Sequence, residues 1–184
     1  MARKKTVKNY SENIICAGFG GQGILFMGKL LAEAALRAGR HVTWMPSYGA
    51  EVRGGTAYSM TKISNEPIAN PVVKDPTVLV VMNKPSLVKY EGKLKEGSVL
   101  IANKSLIGNI AKDRTKTILN IPMTEMATKI GNIRCANMIA VGAIVKRSKM
   151  VSLRNIVNAL KAMLHGKEEL FALNKKALEK GHKL

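Results

Sequence analysis

The sequence predicts an α/β fold: a Rossmann-like, open and mostly parallel sheet with flanking helices and a helical C-terminal third. Short apolar runs alternate with amphipathic segments over the first two thirds, and only helical patterns follow. A glycine-rich turn, GFGGQG, separates the first apolar run from the first amphipathic segment. The 184 residues, 46% of them hydrophobic, are typical of one domain with one core, so we expect residues 1–184 to form a single domain after a basic, flexible lead-in at 1–10.

The first half of the chain predicts four strands and two helices. In the first helix, Ile24, Met27 and Leu31 recur on one face, and Gly39 ends it. Asn83 is placed to cap the second. Since strand, helix and strand follow one another at the start, we expect parallel strands joined by a right-handed crossover. The strands are predicted at 13–18, 41–46, 56–64 and 77–82, and the helices at 22–38 and from Asn83 onward.

The second half predicts two more strands and then helices. Pro122 suits a first helical turn and Gly131 suits a helix end. The last helix ends in lysines, which stabilise a helix C-terminus. The strands are predicted at 98–103 and 116–121, and the helices at 122–131, 134–148, 151–164 and 167–181.

The net charge of +18, from 30 basic and 12 acidic residues, indicates an anionic partner. Nucleic acid, a phosphorylated ligand and an acidic protein would each satisfy it. The basic residues are spread along the chain, with dense patches at 1–8 and 146–149, and aromatic residues are not interleaved with them. We therefore favour a basic surface beside an acidic neighbour and expect no nucleic-acid partner.

The two cysteines, Cys16 and Cys135, lie far apart and form no CxxC motif. We expect both to be buried thiols in a cytoplasmic protein, and no metal site or cofactor bound by this chain alone. No apolar run has the length of a membrane span, so no membrane contact is expected. The three histidines share no spacing, and G-x-S-x-G is absent, so no independent catalytic residue is predicted.

GFGGQG fits the dinucleotide fingerprint G-x-G-x-x-G at Gly18, Gly20 and Gly23, between a strand and a helix. Such a turn can bring backbone N–H groups close to a phosphate. The second strand, however, ends in Trp44, Met45 and Pro46 rather than in an acid that could hold a ribose. Three interpretations stay open: a tight structural turn that packs against a neighbour, a dinucleotide site, and another phosphate site. A stand-alone nucleotide-binding module is thus the alternative function.

The segment PSYGAEVRGG, residues 46–55, follows the end of a predicted parallel strand. Loops at this end of α/β sheets form the crevice that binds ligands. In an extended chain, Glu51 and Arg53 point the same way, so they can pair with each other or with another subunit. We favour a functional or interface loop over a surface loop with a solvated charge pair.

Five segments in the same order resemble the gamma subunit of 2-oxoacid:ferredoxin oxidoreductases, from about residue 13 to residue 181. YGAEVRGG, with two glycines after Arg53, is similar to the 2-oxoglutarate and branched-chain 2-oxoacid types. Ala50 stands where the family more often has proline. The segments are GFGGQG (18–23), PSYGAEVRGG (46–55), ISNEPIANPVV (63–73), VVMNKPSL (80–87) and NIRCANMIAVGA (132–143).

The resemblance implies a role in a complex that oxidatively decarboxylates a 2-oxoacid, with 2-oxoglutarate as first candidate, to an acyl-CoA. Thiamine diphosphate and iron–sulfur clusters would be held by other subunits, and ferredoxin would accept the electrons. Alpha and beta subunits are the implied partners, with a ferredoxin-like delta subunit as a further candidate, and the isolated chain would be inactive. Matching positions imply ligand or subunit contacts at Gly18, Gly20, Gly21, Gln22, Gly23, Tyr48, Gly49, Glu51, Arg53, Gly54, Gly55 and Asn137.

Overall fold

The computed structural model describes residues 10–48 and 55–184 and shows a six-stranded sheet in the order β2-β3-β1-β4-β5-β6. The Rossmann-like α/β class is confirmed. The strands are β1 Ser11–Phe19, β2 His41–Tyr48, β3 Thr56–Ser64, β4 Val78–Val81, β5 Val99–Asn103 and β6 Thr117–Ile121. The helices are α1 Ile24–Arg37, α2 Lys84–Tyr90, α3 Lys104–Ile107, α4 Met123–Ile130, α5 Ala136–Arg147, α6 Leu153–Met163 and α7 Glu168–His182.

The position of β3 in the sheet was not predicted from the sequence. β1, β4, β5 and β6 are parallel, but β3 lies between β1 and β2 and is antiparallel to both. β2 therefore runs in the same direction as β1, as predicted, although β3 separates the two strands. The reason is that β2 is followed after a short connection by β3, which pairs back along it as in a hairpin.

Local sequence signals set several element boundaries. The side chain of Asn83 accepts a hydrogen bond from the Ser86 N–H at 2.9 Å and caps α2, as predicted. Gly131 adopts φ 108° and ends α4. The four-residue α3 was not predicted, because its sequence KSLI is too short to show a helical period.

The central strands are buried on both faces. Along β1, Ile14 and Cys16 belong to one apolar cluster, whereas Ile15 and Ala17 belong to another on the opposite face. This explains why β1 and β4 read as continuous apolar runs. Both cysteines are buried, as predicted. In the described part of the chain, no helix combines the length and the apolar character that crossing a membrane requires.

Candidate ligand and subunit-contact edge

The GFGGQG turn and the flanks of the 49–54 loop lie together at the carboxyl end of β1. Gly20 N–H donates to the Gly55 carbonyl at 3.1 Å, and β3 pairs with both β1 and β2. Tyr48, the last residue of β2, is opposite Ala57 and largely exposed. Gly49, Glu51, Arg53 and Gly54 lie outside the described residues, so their expected contacts stay predictions.

The side chain of Gln22 closes the turn from within. Its Oε1 accepts a hydrogen bond from the Phe19 N–H at 2.7 Å, and Asn83 Nδ2 approaches the same oxygen at 3.4 Å. The Gln22 N–H donates to the Phe19 carbonyl at 3.2 Å. Together with the Gly20 bond, these contacts engage three backbone N–H groups that a dinucleotide phosphate could otherwise approach. The observed turn therefore favours a packed structural role.

Three glycines of the turn are required for different physical reasons. A Cβ on Gly18 would lie 2.6 Å from Gln22 Oε1 and 2.9 Å from Met82 Cβ. Gly21 has φ 90° but open space around it, so only its backbone conformation favours glycine. Gly23 combines both constraints, because its φ is 71° and a Cβ would overlap Nδ2 of Asn137.

Asn137 connects α5 to the turn. It lies in the first turn of α5, is 6% exposed, and its Nδ2 reaches the Gly23 carbonyl at 3.5 Å. Its Oδ1 is buried and has no hydrogen-bond partner among the described residues. A buried acceptor without a donor costs free energy, so this amide oxygen is a candidate to be satisfied by a group that is added on assembly.

A pocket of about 240 Å³ lies beside the turn. The fully buried Asn103 donates from Nδ2 to Thr124 Oγ1 at 2.9 Å, which fixes both side chains at its wall. Among the described residues, the exposed Arg134 is the one cation that lines the pocket. The pocket is lined by Gly21, Gln22, Met82, Asn103, Leu106, Thr124, Ile133, Arg134 and Ala136.

Sequence reasoning did not single out Asn103, Thr124 or Arg134. Asn103 could have been found, because it is the polar residue that ends an apolar parallel strand, where ligand-binding residues concentrate. Arg134 lies within NIRCANMIAVGA, only three residues before Asn137. Nothing in the sequence indicated that Thr124 would meet Asn103.

The thiols are poorly suited to nucleophilic chemistry. Burial raises the pKa of Cys16 to about 12, and burial also raises the pKa of Cys135, which adjoins the pocket residues Arg134 and Ala136. Both therefore stay protonated at neutral pH, and the thiolate is the reactive form. Among the described residues, no group of three His, Cys, Asp or Glu side chains could hold a metal ion. The described residues of this edge offer amides, hydroxyls and the Arg134 guanidinium, which bind and orient rather than transfer protons.

The fold and this edge define a Rossmann-like domain whose glycine-rich turn is packed by its own side chains, beside a half-exposed apolar pocket. The chain belongs to the pyruvate ferredoxin/flavodoxin oxidoreductase family, whose model matches residues 13–184. The family that the five segments predicted is confirmed.

Two relatives differ in length. "Ketoisovalerate oxidoreductase subunit VorA" of Methanothermobacter marburgensis is 36% identical over 166 residues, which cover 90% of this chain and 34% of VorA. "2-Oxoglutarate synthase subunit KorC" of Methanocaldococcus jannaschii is 34% identical over 185 residues, which cover 98% of this chain and 97% of KorC. The chain thus spans about a third of VorA and nearly all of KorC.

Two solved structures share the fold. The gamma subunit of a keto/oxoacid ferredoxin oxidoreductase from Geobacter sulfurreducens superposes with a TM-score of 0.79 at 28% identity, over 94% of this chain and 96% of that one. The 2-oxoglutarate:ferredoxin oxidoreductase from Magnetococcus marinus, with 2-oxoglutarate, coenzyme A and succinyl-CoA bound, gives 0.84 at 27% identity, over 94% of this chain and 30% of that one.

Proposed function

We propose that this chain is the gamma subunit of a CoA-dependent 2-oxoacid:ferredoxin oxidoreductase and acts only with its partner subunits. The observation that carries the proposal is the convergence of three family segments at one edge. GFGGQG meets the flanks of the 49–54 loop through the Gly20–Gly55 hydrogen bond, and it meets Asn137 at Gly23. Separate segments of the chain thus build one surface.

The first candidate substrate of the complex is 2-oxoglutarate. KorC, which matches over nearly its full length, is a subunit of 2-oxoglutarate synthase, and YGAEVRGG resembles the 2-oxoglutarate and branched-chain types. VorA points to the branched-chain acid ketoisovalerate as the alternative. Substrate recognition is expected mainly in the partner subunits, so the assay must compare both acids.

In this proposal, thiamine diphosphate and the iron–sulfur clusters belong to alpha, beta and delta subunits, and ferredoxin accepts electrons from the complex. The present chain contributes its strand-end edge to the CoA side of the shared site. Arg134, Thr124 and Asn103 present a guanidinium, a hydroxyl and an amide at the pocket. A guanidinium there suits an anionic group, and coenzyme A is a polyanion.

The decisive experiment is reconstitution. We expect co-expression with alpha, beta and delta subunits to give CoA-dependent oxidation of 2-oxoglutarate with ferredoxin, and omission of this chain to abolish it. Arg53→Ala should assemble poorly or lower acyl-CoA formation at least tenfold, because its guanidinium is expected at the shared site. Arg154→Ala, an exposed arginine in the first turn of α6, is the matched control and should change neither.

Equal activity of the complex with and without the chain would contradict the proposal. The alternative, a stand-alone nucleotide-binding module, is tested by calorimetry of the isolated chain with NAD, FAD, ADP and CoA. Tight binding of NAD or FAD would favour that alternative. It would have to compete with the side chain of Gln22, which already accepts a hydrogen bond from the Phe19 N–H.

A further inference from the structure

The basic segment at 146–149 has no part in the proposed function. It comprises the last two residues of α5 and the start of the connection to α6. It lies at the amino end of the sheet, where the Lys149 N–H donates to Glu12 of β1 at 2.9 Å. Arg40, immediately before β2, lines the same pocket as Lys149. The eight residues of β2 span roughly 26 Å, so this end of the sheet is far from the GFGGQG turn.

The pocket at this end, which we call the amino-end pocket, has a volume of about 470 Å³. That volume is within the range of roughly 300–1,000 Å³ typical of small-molecule sites. Its polar lining consists of Arg40, Ser148, Lys149, Ser152 and Asn155, and no carboxylate of the described residues lines it.

The two cations of the amino-end pocket lack anionic partners. Among the described residues, neither Arg40 nor Lys149 forms an ion pair, and Arg40 Nε is buried without an acceptor. The Lys149 ammonium lies 5.9 Å from the centre of the Tyr10 ring, a contact that leaves its charge unneutralised.

The neighbouring carboxylate, Glu12, forms hydrogen bonds with groups other than the two cationic side chains. It is 5% exposed and accepts hydrogen bonds from Ser148 Oγ at 2.8 Å and from the Lys149 N–H. These donors belong to the 148–149 turn, so Glu12 fixes the turn and does not pair with Arg40. The amino-end pocket therefore keeps a positive charge.

We propose that the amino-end pocket binds the phosphate group of a small molecule through Arg40 and Lys149. A guanidinium presents paired N–H donors that match two phosphate oxygens, and the ammonium adds a second positive charge. The eleven-residue helix α6 begins at the pocket, where Ser152 and Asn155 form its capping box, so its dipole adds positive potential. The paired N–H donors of Arg40 and the nearby ammonium of Lys149 match the oxygens of a single phosphate group, which favours a phosphate monoester over the dispersed carboxylates of an acidic protein.

The test is a titration of the full chain with inorganic phosphate and glycerol phosphate at constant ionic strength, followed by calorimetry and backbone amide NMR. We expect saturable binding of both, with shifts concentrated at residues 148–152. Arg40→Gln should weaken binding at least tenfold, because it removes the paired charge-assisted hydrogen bonds of the guanidinium. Arg154→Gln removes the same charge from the exposed first turn of α6, outside the pocket lining, and should leave the dissociation constant within about twofold.

Three results would overturn the proposal: no saturation up to about 20 mM phosphate, equal weakening by Arg40→Gln and Arg154→Gln, or binding only of an acidic peptide. Unfolding of each variant is measured in parallel. If Arg40→Gln does not fold, Lys149→Gln takes its place with the same expected loss. Because the pocket is remote from the GFGGQG edge, Arg40→Gln should not impair reconstituted oxidoreductase activity without phosphate, so this proposal can fail independently of the proposed function.

Discussion

Gly23 has a backbone constraint and a packing constraint at the same position. Its φ of 71° is a conformation that other residues adopt only at a cost, and the Asn137 amide occupies the space where a Cβ would be. Gly21, two residues earlier, has φ 90° and open space. Substitutions at these two glycines therefore distinguish the cost of backbone strain, which applies to both, from the cost of steric overlap, which applies only to Gly23.

Gly23→Ala should destabilise the chain more than Gly21→Ala. The left-handed backbone costs roughly 1–2 kcal/mol for a residue with a Cβ, and overlap with Asn137 adds roughly 1–3 kcal/mol at position 23. Urea unfolding of both variants measures the two costs. In the Gly23→Ala variant, adding Asn137→Ala should recover the overlap cost but not the backbone cost. Equal destabilisation by the two single variants would show that Asn137 does not fill this space.

At the scale of secondary structure, α5 and α7 are held together by a close backbone crossing. A Cβ on Gly142 would overlap the Leu178 carbonyl, and a Cβ on Gly181 would overlap the Ile139 carbonyl. Neither carbonyl is the flexible end of a side chain, so relief requires the helices to separate. The all-helical C-terminal third thus depends on two glycines that a helical pattern alone would disfavour.

Gly181→Ala should therefore destabilise the chain despite the higher helix propensity of alanine. We expect a loss of about 2–4 kcal/mol, because separating α7 from α5 exposes apolar area that is now buried around Ala177 and Leu178. Gly92→Ala is the control, since a Cβ there meets nothing within 4 Å and its φ is not left-handed. Thermal and urea unfolding compare the two. A stability of Gly181→Ala equal to that of Gly92→Ala would rule out the close crossing.

For the whole molecule, the sequence predicted the elements better than their arrangement. All six strands were located from the sequence. Apolar runs indicated β1, β4 and β5, because strands buried on both faces leave a strong local signal. Alternation indicated β3, with the bounds observed. The insertion of β3 between β1 and β2 was missed, since pairing depends on contacts between distant segments. Single-domain organisation and the ligand-contact roles stay predictions.

The candidate site was also predicted only in part from the sequence. The glycine-rich turn indicated Gly23 and the resemblance of NIRCANMIAVGA indicated Asn137, and the structure brings these two residues into contact. The closure of the turn by Gln22 was not foreseeable, since its partners are the Phe19 N–H and Asn83, which lies 61 residues further along. Asn103 and Thr124 form the pocket wall only because parallel strands end at one edge.

The carboxyl edge of the sheet has the composition of an interface. Tyr48, Leu106 and Ile133 are each at least half exposed at this edge, and Leu106 and Ile133 line the apolar pocket. Exposed apolar side chains around a pocket mark contact sites in soluble proteins. If partner subunits cover this edge, a charge at Ile133 will be buried without a partner on assembly but will remain solvated in the free chain.

Ile133→Lys should therefore separate assembly from folding. Ile133 is 58% exposed, so the free energy of unfolding of the isolated chain should change by less than about 0.5 kcal/mol. Co-purification with the catalytic subunits should fall at least tenfold, because an unpaired charge would be desolvated at the contact. Leu36→Lys, at a 63% exposed residue near the opposite end of the sheet, is the matched control and should assemble normally. Normal assembly of Ile133→Lys would place the partner contact elsewhere on the domain, whereas equal loss in both variants would indicate a general effect of added charge.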